Sequence, residues 1–310
     1  MAILWMGLKV RIETGRARAW PVAALLVIAI AGATAVGLAD PLPAPGPSAS
    51  SAPGVRDDDP CGGRTRLLAT LNRPTVGYSP CAVAARTVVF EIGYQNQVSG
   101  ATPSLQFAAQ YPQNFLRFGV RPRFEIDVIG PNYARVRATR PDATDVATSG
   151  TYDSGAGLKY ELPPSGKFTV AIDGLYLGAN GSGGFTAGNA SVTGNLDVAY
   201  SLDATTGIGT TLAFSSTGGY AADGSHARYG LFMPSFVITK QIPQTFQLYG
   251  EYVYASKIAP DAGGRAFVDF GLQKLFGPHF EVDAELGNSL TPNAAQRFHY
   301  VGVGLGFELR

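Results

Sequence analysis

The chain has 310 residues, with 24 Lys and Arg against 23 Asp and Glu and a formal net charge of +1. Charged residues make up 15% of it, below the roughly 25% usual for soluble domains, while 45% are hydrophobic and 39 are glycine. These values exclude a disordered chain, give no electrostatic footprint for nucleic acid, and come without the several apolar runs of about 20 residues that a bundle of membrane helices needs.

Residues 1–39 read as an export signal. Arg11, Arg16 and Arg18 precede an uncharged apolar run from Val22 to Ala35, and Gly37-Leu38-Ala39 ends in the small residues of a cleavage site. A membrane anchor is the alternative reading, because no charge falls between Arg18 and Asp40. Residues 40–60 are rich in Pro and Ser and end in Asp57-Asp58-Asp59, which predicts a stiff, disordered linker.

Cys61 and Cys81 are the only cysteines. In an exported chain an even count points to a disulfide. A metal site needs more ligands than two cysteines supply, and a redox pair is usually spaced CxxC. The bridge would pin residues 61–85 as a short N-terminal segment in the periplasm, with Leu67, Leu68 and Leu71 on a single helical turn.

From residue 86 the pattern changes to period two. Val88, Phe90, Ile92 and Tyr94 alternate with polar or glycine positions, as do Ile126 and Val128, Leu196 and Val198, Val282 and Leu286, and Val301 to Leu309. About twelve such segments are expected: 86–97, 114–121, 122–130, 154–162, 167–179, 189–202, 204–216, 227–241, 244–257, 264–276, 278–289 and 296–309. Short turns alternate with longer connections at 98–113, 131–153, 180–188, 217–226, 258–263 and 290–295. This asymmetry belongs to outer-membrane barrels, and the even strand number suits closure. The expected fold is therefore all-β, an antiparallel up-and-down transmembrane barrel over 86–310, in contact with outer-membrane lipid.

Charge on the lipid face costs about 2–4 kcal/mol at mid-bilayer, so the charged positions must face inward. The candidate lumen residues are Glu91, Arg117, Arg123, Glu125, Asp127, Lys159, Asp197, Glu251, Asp269, Asp283 and Glu285, with Glu161, Asp173, Glu281 and Glu308 of the same parity. Tyr94, Tyr176, Tyr252, Tyr254, Phe298 and Tyr300 are expected in one interfacial aromatic girdle, and Phe276 and Phe280 in the other. The acids gather on the first and last strands. They either pair with Arg117 and Arg123 as a polar filling, or form a constriction that favours cations. About twelve strands imply a lumen that is narrow or plugged.

Three functional classes follow. The barrel is a passive channel, a closed structural or surface-interaction barrel using loop 131–153, or a lipid-modifying enzyme. The last would rest on His299 on the outward face near the rim, with Ser289 across the last hairpin. No Gly-x-Ser-x-Gly, HExxH or P-loop motif is present, so no catalytic residue, metal ligand or cofactor is assigned.

Three stretches carry a family resemblance: Asn114 to Glu125, Gly155 to Tyr160, and the closing Asp269-Phe270-Gly271-Leu272, Gly277-Pro278 and Val301 to Leu305. The chain resembles the Gram-negative outer-membrane barrels named for the meta (MetA) pathway of phenol degradation. That resemblance covers 86–310 and implies transport of small, aromatic or hydrophobic solutes, without catalytic residues. Gly304, Phe307 and Leu309 resemble the C-terminal signal read by the barrel-assembly machinery, except that Arg310 replaces the final aromatic.

Overall fold

The computed structural model describes residues 61–62, 65–101, 104–139, 146–242, 245–293 and 296–309. The expected signal and linker lie outside the described residues. Among the described residues one short helix, α1 (Arg66–Thr70), precedes fourteen strands: β1 (Val88–Ala101), β2 (Ser104–Arg121), β3 (Phe124–Ile129), β4 (Tyr133–Ala138), β5 (Val146–Thr151), β6 (Gly155–Glu161), β7 (Phe168–Leu177), β8 (Ser191–Ser201), β9 (Thr206–Tyr220), β10 (His226–Gln241), β11 (Phe246–Ala255), β12 (Arg265–Phe276), β13 (Phe280–Ser289) and β14 (Phe298–Leu309).

All fourteen belong to one antiparallel sheet, and twelve of them close into a barrel. The seam runs between β1 and β14, from Val88 opposite Leu309 to Ser99 opposite Phe298. Closure satisfies the backbone amides and carbonyls of both end strands, which would otherwise be left as unpaired sheet edges. The remaining two strands, β4 and β5, are a hairpin inside the connection from β3 to β6. It is laid against the far half of β2, with Gln106 to Gln110 opposite Ala138 to Ala134.

The period-two reading fixes the faces. Phe214 is 59% and Phe236 55% exposed on the outside, whereas Glu91, Glu125, Asp197 and Asp269 are 0% exposed on the inside. That is the partition expected of a wall with hydrocarbon on one side and polar groups on the other.

Three connections differ from expectation. Residues 98–101 and 104–113 are strand, since β1 and β2 continue as a paired ribbon to Ala101 and Ser104. Residues 217–220 and 226 are likewise strand, with His226 opposite Tyr220, and 131–153 holds the β4–β5 hairpin. In these places Gln, Ser, Thr, Gly and Arg dilute the apolar alternation, although Phe107 and Tyr111 keep it on the outward face of β2, and the backbone ladder continues. Tyr94, Tyr176, Tyr252 and Tyr254 lie outward as expected. Phe298 and Tyr300 do not, being 3% and 2% exposed. They share the inward parity of Glu308 and pack with Val253 and Phe267 inside the barrel.

The sequence leaves open whether the N-terminal segment plugs the barrel. Residues 65–87 enter the lumen and return to begin β1. The expected helical turn forms, and Leu67, Leu68 and Leu71 pack with Val83 against Val89 of β1 and Leu275 of β12. Cys61 and Cys81 are disulfide-bonded with Cα atoms 5.3 Å apart. The plug is thus a covalently closed loop seated on an apolar base.

Candidate functional site: the occupied lumen

The inward carboxylates are the binding surface for the plug. A loop without secondary structure carries unpaired amides, and burying one without a partner costs about 1–3 kcal/mol. Here the wall supplies the acceptors. Glu91 takes the amides of Asn72, at 3.0 Å, and Arg73, at 2.8 Å. Glu251 takes those of Val76 and Gly77 at 2.7 and 2.8 Å. Glu125 accepts from Val83, and Glu161 from Ala82 at 2.9 Å.

Cations complete the fit from both sides. Arg117, fully buried on β2, donates to Glu125 at 2.7 Å and Glu91 at 3.2 Å, and also to the plug carbonyls of Thr70 and Cys81. Asp127 lies 3.9 Å from its Nε. Lys159 donates to the carbonyl of Ser79 at 2.7 Å and sits over the Tyr78 ring at 5.4 Å. In return the plug contributes Arg73, whose guanidinium reaches Asp283 at 3.3 Å, Glu285 at 3.4 Å and Gln113 at 2.6 Å. Gln273 donates to the Arg73 carbonyl at 3.0 Å. At the base, Arg66 pairs with Glu308, which also faces His279 at 3.1 Å.

Two further sequence-selected acids have wall partners. Thr211 donates to Asp197 at 2.7 Å, and Tyr300 donates to Asp269 at 2.6 Å. Arg123 is the exception among the expected lumen residues. It is exposed, with φ +65°, in the turn between β2 and β3, and its carbonyl accepts the Glu161 amide. The two-residue turn needs a left-handed conformation there, which removes Arg123 from the strand parity it was read with. The pairing expected of Arg117 and Arg123 with Glu91, Glu125 and Asp127 is therefore made by Arg117 alone.

Ser289 and His299 do not meet. Ser289 is buried inward and accepts the Phe298 amide, while His299 is exposed on the opposite face.

Room for the plug comes from glycine. On β14, Gly302, Gly304 and Gly306 stand opposite Glu285, Asp283 and Glu281 of β13. A Cβ at Gly304 would overlap Asp283 and the Arg73 guanidinium, and one at Gly306 would overlap Leu71. Across the seam, Gly93 is opposite Gly304 and also faces Arg73. The strict Val-Gly-Val-Gly-Leu-Gly alternation from Val301 was the sequence signal for an interior occupant, and it reads equally well as an ordinary strand. Arg73 itself lies outside every strand, so parity could not select it.

The plug does not fill the barrel evenly. A cavity of about 400 Å³ lies between it and the wall of β8–β11. A second, of about 70 Å³, lies beyond it toward the long-loop end.

No protein-family model matches the chain, and no curated protein matches it. Among solved structures, an outer-membrane channel from Pseudomonas putida F1 superposes over 74% of this chain and 97% of its own length, with a TM-score of 0.54 and 11% identity. The NanC porin covers 72% of this chain and 100% of its own, with a TM-score of 0.46 and 11% identity. At such identity the likeness is one of fold: this chain is built as a closed outer-membrane-type β-barrel.

Proposed function

We propose that the chain resides in the outer membrane of a Gram-negative cell and acts as a passive channel for small solutes. The observation that carries this reading is a closed wall, apolar outside and polar inside, whose lumen keeps a cavity of about 400 Å³ beside the plug. The fold shared with the Pseudomonas channel supports it. Surrounding lipid contacts the outward Phe and Ile side chains, and the barrel-assembly machinery reads the C-terminal strand. Aromatic or hydrophobic solutes, as the phenol-pathway resemblance implies, are the finer form of the proposal.

Planar-bilayer and liposome-swelling measurements on the refolded full chain test it. Deleting 61–84, which keeps all twelve barrel strands, is expected to raise conductance. If neither protein conducts although both show the heat-modifiable gel migration of a folded barrel, the channel reading fails. One observation favours a second reading, a closed structural barrel: the plug is held by wall side chains at both its base and its tip. On that reading the intact protein passes nothing and only the deletion conducts.

A further inference from the structure

The two cavities share two residues, Tyr78 of the plug and Thr211 of β9. They form the wall between the spaces. The Tyr78 amide donates to the Thr211 hydroxyl at 2.9 Å, and the same hydroxyl lies 3.2 Å from the Tyr78 carbonyl and 2.7 Å from Asp197. One side-chain hydroxyl thus holds the plug backbone against the barrel at the point where the spaces would otherwise join.

The chemistry along this line differs from that of the opposite wall. On that wall, Glu91, Glu125 and Glu251 accept plug amides, and Asp283 and Glu285 face Arg73. Facing the larger cavity are Gly207, Gly209, Ser235 and Thr239. The smaller cavity has an apolar side, with Leu175 and Met233, and a hydroxyl side, where Thr193 and Ser215 lie 2.7 Å apart. Its lining carries no charged residue; that of the larger cavity includes only Arg73, already engaged by Asp283 and Glu285, and Asp203 at the exposed turn.

We infer that the permeation path runs between the plug and the β8–β11 wall, that its narrow point is the Tyr78–Thr211 contact, and that it passes small uncharged solutes bearing hydroxyl groups. The carboxylate nearest the narrow point, Asp197, is buried behind the Thr211 hydroxyl that donates to it and does not line either cavity, so a dehydrated ion pays most of its desolvation cost there. A neutral solute exchanges its water for Thr, Ser and Gln side chains and turns its carbon skeleton to the leucines. The inference rests on the channel reading, names its route, and sets hydroxylated solutes as its substrate class in place of the aromatic or hydrophobic ones that the resemblance implies.

Thiol labelling tests it, because the chain's two cysteines are bonded to each other and an introduced thiol is unique. Thr239→Cys places one in the larger cavity and Ser215→Cys one in the smaller. Each variant is labelled with a bulky maleimide in detergent, checked by mass, and reconstituted for liposome swelling with erythritol and with acetate. Expected results are erythritol entry several-fold faster than acetate entry, its suppression by either label, and its acceleration in Thr211→Ala. Entry that ignores both labels, acetate entry as fast as erythritol, or thiols that do not react would overturn the route while leaving the channel reading standing. No entry of any solute into liposomes carrying folded protein overturns both.

Discussion

Arg73 shows how one side chain can set the state of the lumen. Its guanidinium is the cation facing Asp283 and Glu285, and both acids are buried. Removing one partner of a buried ion pair costs about 3–5 kcal/mol, because the other charge stays behind uncompensated. Arg73→Gln is expected to lower the unfolding free energy of the refolded barrel by that order, read as a lower urea midpoint at unchanged m-value, and adding Asp283→Asn with Glu285→Gln to restore most of it. If Arg73→Gln leaves the midpoint unchanged, the pairs are not stabilising. Asp203, in the exposed turn between β8 and β9, carries the clearest pH effect. Hydrogen bonds from the Thr205 amide and hydroxyl and from Thr206 hold its carboxyl well below the usual carboxylate range. A depressed folded value stabilises the turn at neutral pH, and that stabilisation is lost as pH falls from about 4 through the folded value. The protection factor of the Thr205 amide, its exchange rate relative to an unstructured peptide at the same pH, should fall over that acidic range and stay flat from pH 5 to 8. Strand parity made Glu91, Arg117, Glu125, Asp127 and Lys159 legible in the sequence as inward residues. What they bind was not legible, because hydrogen bonds to plug amides leave no trace in side-chain pattern.

At the level of elements, the barrel strands were legible because each half-buried strand repeats the same constraint at every second residue. The extensions of β1, β2, β9 and β10 were not, since past the hydrocarbon boundary nothing requires the outward residue to be apolar. The same logic explains β14. Its inward Gly302, Gly304 and Gly306 provide no polar filling of their own; they leave volume that Glu285, Asp283, Leu71 and Arg73 occupy. Gly304→Leu is expected to assemble a barrel, since strand hydrogen bonding and the outward face are unchanged, yet to displace the plug. Hydrogen exchange then reports it: the amides of Asn72 and Arg73, protected by Glu91 in the native chain, should exchange as fast as a free loop, while those of β14 stay protected. Equal protection in both proteins would mean that the lumen can accommodate the larger side chain.

For the molecule as a whole, the disulfide and the sheet closure act on different states. The Cys61–Cys81 bridge closes a loop of about 20 residues, which by chain entropy is worth about 3 kcal/mol to the seated plug. Cys61→Ser with Cys81→Ser should therefore raise the fraction of open, conducting barrels without changing the melting of the sheet, as read by single-channel open time and by circular dichroism. A parallel fall in sheet melting would instead make the bridge a part of barrel stability. The plug's contacts also fall into two groups by distance along the chain. Arg73 to Glu91, Val83 to Glu125 and Arg117 to Thr70 span 18, 42 and 47 residues, whereas Val76 to Glu251, Arg73 to Asp283 and Arg66 to Glu308 span 175, 210 and 242. Loop-closure entropy favours the first group in time. The plug and β1–β3 can then consolidate as a nucleus before the last strands arrive, so that β11–β14 close around a mandrel already in place, and the seam seals on a lumen filled from the outset.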